Sequence, residues 1–182
     1  MKIRPATVSD IPALVSLNRI VHSMHAAAFP GTFRQDPPDQ VVAHAFKAAI
    51  EAPSSYWLLA EEEHAGAYLS ADFRQRDESW YMIAHRVCYI GGIVVAPHCR
   101  RMGIARALLA ELKREANVRG VARIELDVWT FNHEARQAFA SLGFHSMMER
   151  MTLSALEPNK APEPTPGRVT PRATEGDLKR SH

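Results

Sequence analysis

The run IVVAPHCRRMGIARALL at 93–109 joins two incompatible periodicities in one short stretch, and so fixes much of what must surround it. Its first part is a continuous apolar run ending at Pro97, as expected of a buried strand. Its second part opens at Gly103 and continues the stripe Ile104, Leu108, Leu112 and Ala116, with Glu111, Lys113, Arg114 and Glu115 largely outside it. A buried strand that feeds a one-sided helix through a short turn requires a sheet with that helix packed on its face. The turn also carries chemistry. His98, Cys99, Arg100, Arg101 and Arg106 cluster where the helix presents unpaired amides and the positive end of its dipole, a ready anion site. A Walker loop needs a glycine-rich run ending in Lys-Ser/Thr, and a dinucleotide fingerprint needs three spaced glycines; neither is present. Arg100-x-x-Gly103-x-Ala105 is a different pyrophosphate cradle.

The rest of the chain supplies the sheet. Lys2 to Ala6 reads as an opening strand, and Ser9 or Asp10 can cap a helix that carries Pro12 in its first turn and Ile11, Leu14, Val15, Val21 and Met24 at helical spacing. After the break at 29–38, Val41, Val42, Ala45, Phe46 and Ala49 predict a second helix ending before Pro53. Strands follow at 56–60 and 67–73, linked by a polar turn, and a longer one runs from about 83 to 95. Gly91-Gly92 inside that strand predicts a bulge or a close backbone approach. After the helix from Gly103, stopped by Gly120, Ile124, Leu126 and Val128 alternate as a strand. Asn132 caps a last helix that stops at Gly143, and 144–153 is expected to close the sheet. The order predicts an α/β fold, a mixed sheet with helices on both faces.

Of the 182 residues, 46% are hydrophobic and 23% charged, ordinary values that exclude a collagen-like or wholly disordered chain. From 154 to 182 the pattern changes: five of the 12 prolines fall there, the charges alternate, and Leu156, Val169 and Leu178 are its only large aliphatics. The expected domain is therefore 1–153, followed by a flexible tail at 154–182 whose burial cannot offset ordering costs of ~1–2 kcal/mol per residue. The apolar runs are far shorter than the ~20 residues of a membrane span, and the first residues lack the apolar core of a signal peptide, so a cytoplasmic protein without a membrane partner is expected. A net charge of +2 with no basic stripe interleaved with aromatics argues against nucleic acid. Cys88 and Cys99 are too few for a disulfide framework and lack partners at zinc spacing, so no metal is expected.

The turn at 100–105 resembles the acetyl-CoA-binding motif of the GNAT acyltransferase superfamily, Arg/Gln-x-x-Gly-x-Gly/Ala after a hydrophobic strand. A second block, Leu126-Asp127-Val128-Trp129-Thr130-Phe131-Asn132-His133-Glu134-Ala135 through Leu142-Gly143-Phe144, is similar to the family's Leu-x-Val, Asn, Ala, Gly-Phe signature. The resemblance implies a mixed, mostly antiparallel sheet with a splayed strand pair, and acetyl-CoA as acyl donor without a metal. It implies that the amides of Arg101, Met102, Gly103, Ile104, Ala105 and Arg106 hold the pyrophosphate, with Arg100 and Arg106 as nearby charge. Ile93, Val94 and Val95 would pair with the pantetheine arm, and Asn132 would cap its helix and stand close to that arm.

The resemblance also exposes departures. The family commonly places a general-acid tyrosine on the helix after the asparagine, and the matching residue here is Phe139. Many relatives carry an acidic residue where this chain has Gly91 and Gly92. Backbone N–H at Val94 or Val95 can stabilise the oxyanion, and Tyr89 or water can replace the missing acid. Candidate bases are His25, His85, Tyr89, Glu125 and Asp127, beside a water chain. Freeing an α-amine of pKa ~8 at pH 7 costs about 1.4 kcal/mol, against roughly 4.6 for a lysine at 10.4, so a site without a strong base favours less basic amines. His25, Phe29 and Phe33 are candidate acceptor contacts, and Arg74 and Arg76 can meet an acidic acceptor. The expected activity is direct acetyl transfer from acetyl-CoA to an amine-bearing small molecule or peptide N-terminus in a ternary complex, with a homodimer open to it. A ping-pong scheme through Cys99 is disfavoured by its place beside the cradle. A catalytically weak acyl-CoA-binding sensor or interaction module is the alternative.

Overall fold

The computed structural model describes residues 1–61 and 64–153. It contains strands β1 (Lys2–Pro5), β2 (Ser55–Glu61), β3 (Ala65–Arg76), β4 (His85–Val95) and β5 (Ile124–Leu126), and helices α1 (Ile11–Ala28), α2 (Asp39–Glu51), α3 (Ile104–Val118) and α4 (His133–Ser141). The strands form one sheet in the order β1-β2-β3-β4-β5. The first three pairings are antiparallel and β4–β5 is parallel, so the sheet is mixed and mostly antiparallel.

Strand alternation sorts the core into two layers. On β2, Leu58 and Ala60 face one side with Ile104, Leu108, Leu109 and Leu112 of α3, while Trp57 and Leu59 face the other with Leu14 and Leu17 of α1. Phe46, Ala49 and Ile50 of α2 join that second layer, and Leu142 and Phe144, at the end of α4, pack on the first. Helices thus cover both faces. At one edge of the sheet, Arg4 on β1 donates two hydrogen bonds of 2.8 Å to Asp10 and two of 2.8 Å to Glu61, tying the start of α1 to the end of β2.

Two local expectations need correction. Asp10 is the N-cap residue of α1, one of the two expected caps, but its side chain makes no bond into that helix: Thr7 opens a one-turn 3-10 helix, Val8–Asp10, and the Asp10 carboxylate accepts from the Thr7 N–H at 2.8 Å and pairs with Arg4. The residues 144–153, expected to close the sheet, contain no strand. Of their large apolar side chains only Phe144 packs on the core, while Met147, Met148, Met151 and Leu153 are exposed, so no buried face rewards strand pairing there. The chain divides into two units, Met1–His145 and Ser146–His182; every helix and strand described lies in the first. The expected tail at 154–182 lies outside the described residues, as do Glu62 and Glu63 in the β2–β3 turn.

Candidate active site

The site is built where β4 outruns its neighbour. Pairing with β5 covers Cys88, Tyr89 and Ile90 and ends at Ile90↔Leu126, whereas β4 continues to Val95. The strands part at the glycine pair. On the β3 side Ala71 opposes Ile90 and Ser70 opposes Gly92, which leaves Gly91 as the extra residue of a bulge. The bulge resets the alternation: Ile90 and Ile93, an odd number of residues apart, both pack on the α3 face. A Cβ on Gly91 would sit 3.3 Å from Ser70 Oγ, a tight approach that Ser70 would have to relieve by shifting a few tenths of an ångström.

Hydrogen-bond direction along β4 then follows from one bond. The Ala96 N–H donates to Gly66 O at 2.8 Å, toward β3. Alternation turns the Val94 N–H to β3 as well, and the N–H groups of Ile93 and Val95 to the opposite edge, which no described strand covers. Of the two candidate oxyanion donors, Val95 alone faces the parted edge.

Beyond β4 the chain makes a 3-10 turn at Pro97–Cys99 and enters the cradle. Arg101 has φ 64° and Gly103 φ 78°, two left-handed residues that turn the loop onto the first turn of α3. Among the described residues, no amide from Arg101 to Arg106 donates to a backbone carbonyl outside its helix; the first bond of α3 runs from the Ala107 N–H to Gly103 O at 3.0 Å. Ile104 is buried and pins the helix, while Arg100, Arg101, Met102, Gly103 and Arg106 are exposed. The result is a run of donors free of backbone partners with arginines around it, matched to a multiply charged anion. Cys99 sits beneath the cradle, its Sγ 2.8 Å from where a Cβ on Gly66 would lie, which gives this thiol a packing role. Burial pushes the other thiol, Cys88, up to about 11.

The second sequence block folds beside the first. Arg100 lies 3.6 Å from Glu134 in the first turn of α4, and Asn132 Oδ1 accepts from the Ala135 N–H at 3.1 Å, the cap expected of it. Phe139 is packed edge-on against Phe144 at 5.8 Å between centroids and offers no hydroxyl. Tyr89 lies on β4 just before the fork, beneath Arg74 at 4.0 Å, and donates its hydroxyl to Asp127 Oδ2 at 3.0 Å. Desolvation, and then the Asp127 carboxylate, raise the Tyr89 hydroxyl above its ordinary value, which keeps it a proton donor. His85 Nδ1 donates to Ile83 O at 2.9 Å, at the opposite end of β4 from the cradle, and Glu125 is 3.7 Å from Arg123. Glu125 opposes Tyr89 across the β4–β5 pair, one residue before the fork, whereas His85 lies away from it. Arg74 is engaged by Asp72 at 3.3 Å, and Arg76 is exposed.

His25, Phe29 and Phe33 meet each other and two residues that sequence reasoning missed as contacts, Trp129 and Phe131. Phe29 lies 4.8 Å from Trp129 and 5.5 Å from Phe131, and Phe33 lies 5.4 Å from Trp129. His25 stacks on Phe33 at 5.3 Å and meets Phe131 edge-on at 5.7 Å. The signal was present in the spacing, since two large aromatics with period two follow directly on the alternating β5. Desolvation, with a smaller contribution from His22, lowers the His25 pKa and favours the neutral ring. Among the described residues no group of three or more His, Cys, Asp or Glu is placed to hold a metal ion, and no helix is long and apolar enough to cross a membrane.

The model of the acetyltransferase (GNAT) family matches residues 19–144. A tetramutant of the BH1408 protein from Bacillus halodurans is similar in structure with a TM-score of 0.80 and 29% identity, covering 85% of this chain and 99% of that one. The aminoglycoside 6'-N-acetyltransferase AAC(6')-Ig from Acinetobacter haemolyticus gives a TM-score of 0.68 at 20% identity, covering 86% and 99%. AAC(6')-Iy, solved in complex with CoA, gives 0.66 at 19%, covering 84% and 93%. No curated protein matches the sequence significantly.

Proposed function

We propose, because the chain belongs to the acetyltransferase (GNAT) family, that it moves an acetyl group from acetyl-CoA directly to an amine in a ternary complex in the cytosol. The observation that carries this reading is the cradle at 101–106, with its amides free of backbone partners, set next to the parted edge of β4. Both features fit one elongated ligand. The amides of Arg101 to Arg106 take the diphosphate, and Ile93 and Val95 offer backbone groups to an amide-bearing arm in the manner of an added strand. Bound acetyl-CoA supplies a thioester as the activated acyl group.

The chain's own groups then act on charge and protons. The Val95 N–H faces the edge where negative charge develops on the carbonyl oxygen. Tyr89, held by Asp127 at 3.0 Å, is the proton donor placed at the fork in the absence of a hydroxyl at Phe139. Its contribution is modest, since a thiol of pKa ~8.5 that leaves unprotonated at pH 7 costs only about 2 kcal/mol. The Asp127 carboxylate can accept a hydrogen from the incoming amine, and no stronger base stands at the bulge. The site therefore favours acceptors near pKa 8 over lysine side chains.

A second reading, a CoA-binding module with weak or lost catalysis, is favoured by Phe139 and by Gly91-Gly92 where relatives carry acid and base. Two measurements separate them: calorimetric titration with coenzyme A, and release of free thiol from acetyl-CoA with a panel of amines. Binding with turnover supports the enzyme, binding without turnover supports the module, and no binding by folded protein overturns both.

A further inference from the structure

The aromatic cluster poses a question that acetyl transfer alone does not answer. Six rings, His22, His25, Phe29, Phe33, Trp129 and Phe131, from two segments distant in sequence, the end of α1 with the loop after it and the loop between β5 and α4, form a connected set in which neighbouring centroids are at most 6.4 Å apart. Rings gathered for stability alone are expected to be buried, yet His25, Phe29, Phe33 and Phe131 are only partly buried and Trp129 is 40% exposed. Their faces are a partly exposed π surface, and its Trp129 follows Asp127 by two residues in the chain.

The acids near this wall differ in their engagement. Glu125 is close to Arg123 at 3.7 Å and Glu134 to Arg100 at 3.6 Å, so each already faces a cation. Asp127, two residues before Trp129, is held by the neutral Tyr89 hydroxyl and keeps its charge for another partner. The site thus offers one available carboxylate and a broad aromatic wall. That is a poor match for a polyhydroxylated acceptor bearing several ammonium groups, which needs several carboxylates and hydroxyl partners, and a good match for one amine on a flat apolar body.

Resting on the acetyltransferase reading, we propose that the acceptor is a monoamine carried on an aromatic body, which stacks against Phe33 and Trp129 while its amine meets Asp127. The wall sets specificity and takes no part in the chemistry.

The test uses the full chain with coenzyme A present and measures calorimetric binding of 2-phenylethylamine and of an aminoglycoside, alongside thiol release from acetyl-CoA with both. 2-Phenylethylamine should bind and react in preference to the aminoglycoside. Trp129→Ala should weaken its binding and raise its KM about tenfold, Trp129→Phe should restore most of the loss, and coenzyme A affinity should stay at the parent value in both variants. Tighter binding of the aminoglycoside, binding of neither amine, or an unchanged 2-phenylethylamine affinity in Trp129→Ala overturns the proposal. The acetyltransferase reading fails separately, if the folded parent does not bind coenzyme A or binds it and releases no thiol with any amine of the panel.

Discussion

Replacing Gly103 by alanine isolates the backbone geometry of the cradle from its charge. Gly103 has φ 78° and ψ 6°, and a Cβ built there meets nothing within 4 Å, so the substitution adds no clash. What remains is the cost of holding a side-chain-bearing residue in the left-handed region, about 1–2 kcal/mol. Helix α3 cannot move to relieve it, because Ile104 is 4% and Leu108 0% exposed in the core. The strain therefore falls on 100–103. If the loop keeps its shape, Gly103→Ala loses about 1–2 kcal/mol of stability in urea unfolding and binds coenzyme A as before. If the loop relaxes, stability is kept and the amides leave their positions, so that affinity falls roughly 5–30-fold by calorimetry. The two losses together should amount to the backbone cost. Gly103→Asn should lose less, since asparagine visits this region more readily. An alanine variant with parental stability and parental affinity would refute the claim that left-handed geometry at 103 forms the cradle.

The packing of Cys99 under Gly66 predicts coupling: Gly66→Ala should cost about 1–3 kcal/mol, and the pair with Cys99→Ala should cost clearly less than the sum of the two, read from urea midpoints. Cys99→Ala alone should keep thiol release, as expected of direct transfer. Tyr89→Phe should lower kcat by roughly 10–30-fold while leaving KM for acetyl-CoA unchanged, the ceiling being the ~2 kcal/mol needed for unassisted thiolate departure; a full loss, or none, contradicts the proton-donor role. Because burial holds the His25 pKa below its ordinary value, its contribution to stability is present above about pH 6.5 and is lost as pH falls from there through the depressed folded value. His25→Gln should flatten that part of the pH dependence of the urea midpoint, and an unchanged slope would assign it to other groups.

The helices and strands were legible because their signals are local. Alternation of Trp57, Leu58, Leu59 and Ala60 gives a strand whose faces pack on different helices, and the stripe from Ile104 to Ala116 gives a helix with one buried side. Asn132 announced its cap and Gly143, with φ 98°, its stop. Gly91-Gly92 announced the bulge, because few causes besides a close backbone approach place two glycines in a buried strand. The closing strand was not legible because an apolar run, Phe144, Met147, Met148, Met151 and Leu153, does not by itself decide burial, and the last four of these side chains stay exposed. Asp10 stands at the N-cap of α1, but its carboxylate serves the Thr7 capping box and Arg4 instead of the helix's own amides.

The site divides along the same line. A contiguous run fixes its own backbone, so the residues from Val95 to Arg106 specified an anion cradle wherever the sheet might place it. Which amide faces the parted edge depended on a bond from Ala96 to Gly66, thirty residues away in the chain, and on β5 ending at Leu126. The meeting of Phe33 with Trp129 and of Tyr89 with Asp127 likewise joins segments that share no local pattern. Short-range sterics and periodicity wrote the elements and the cradle into the sequence; the pairing of distant edges, a property of the assembled sheet, decided which groups face one another across the fork.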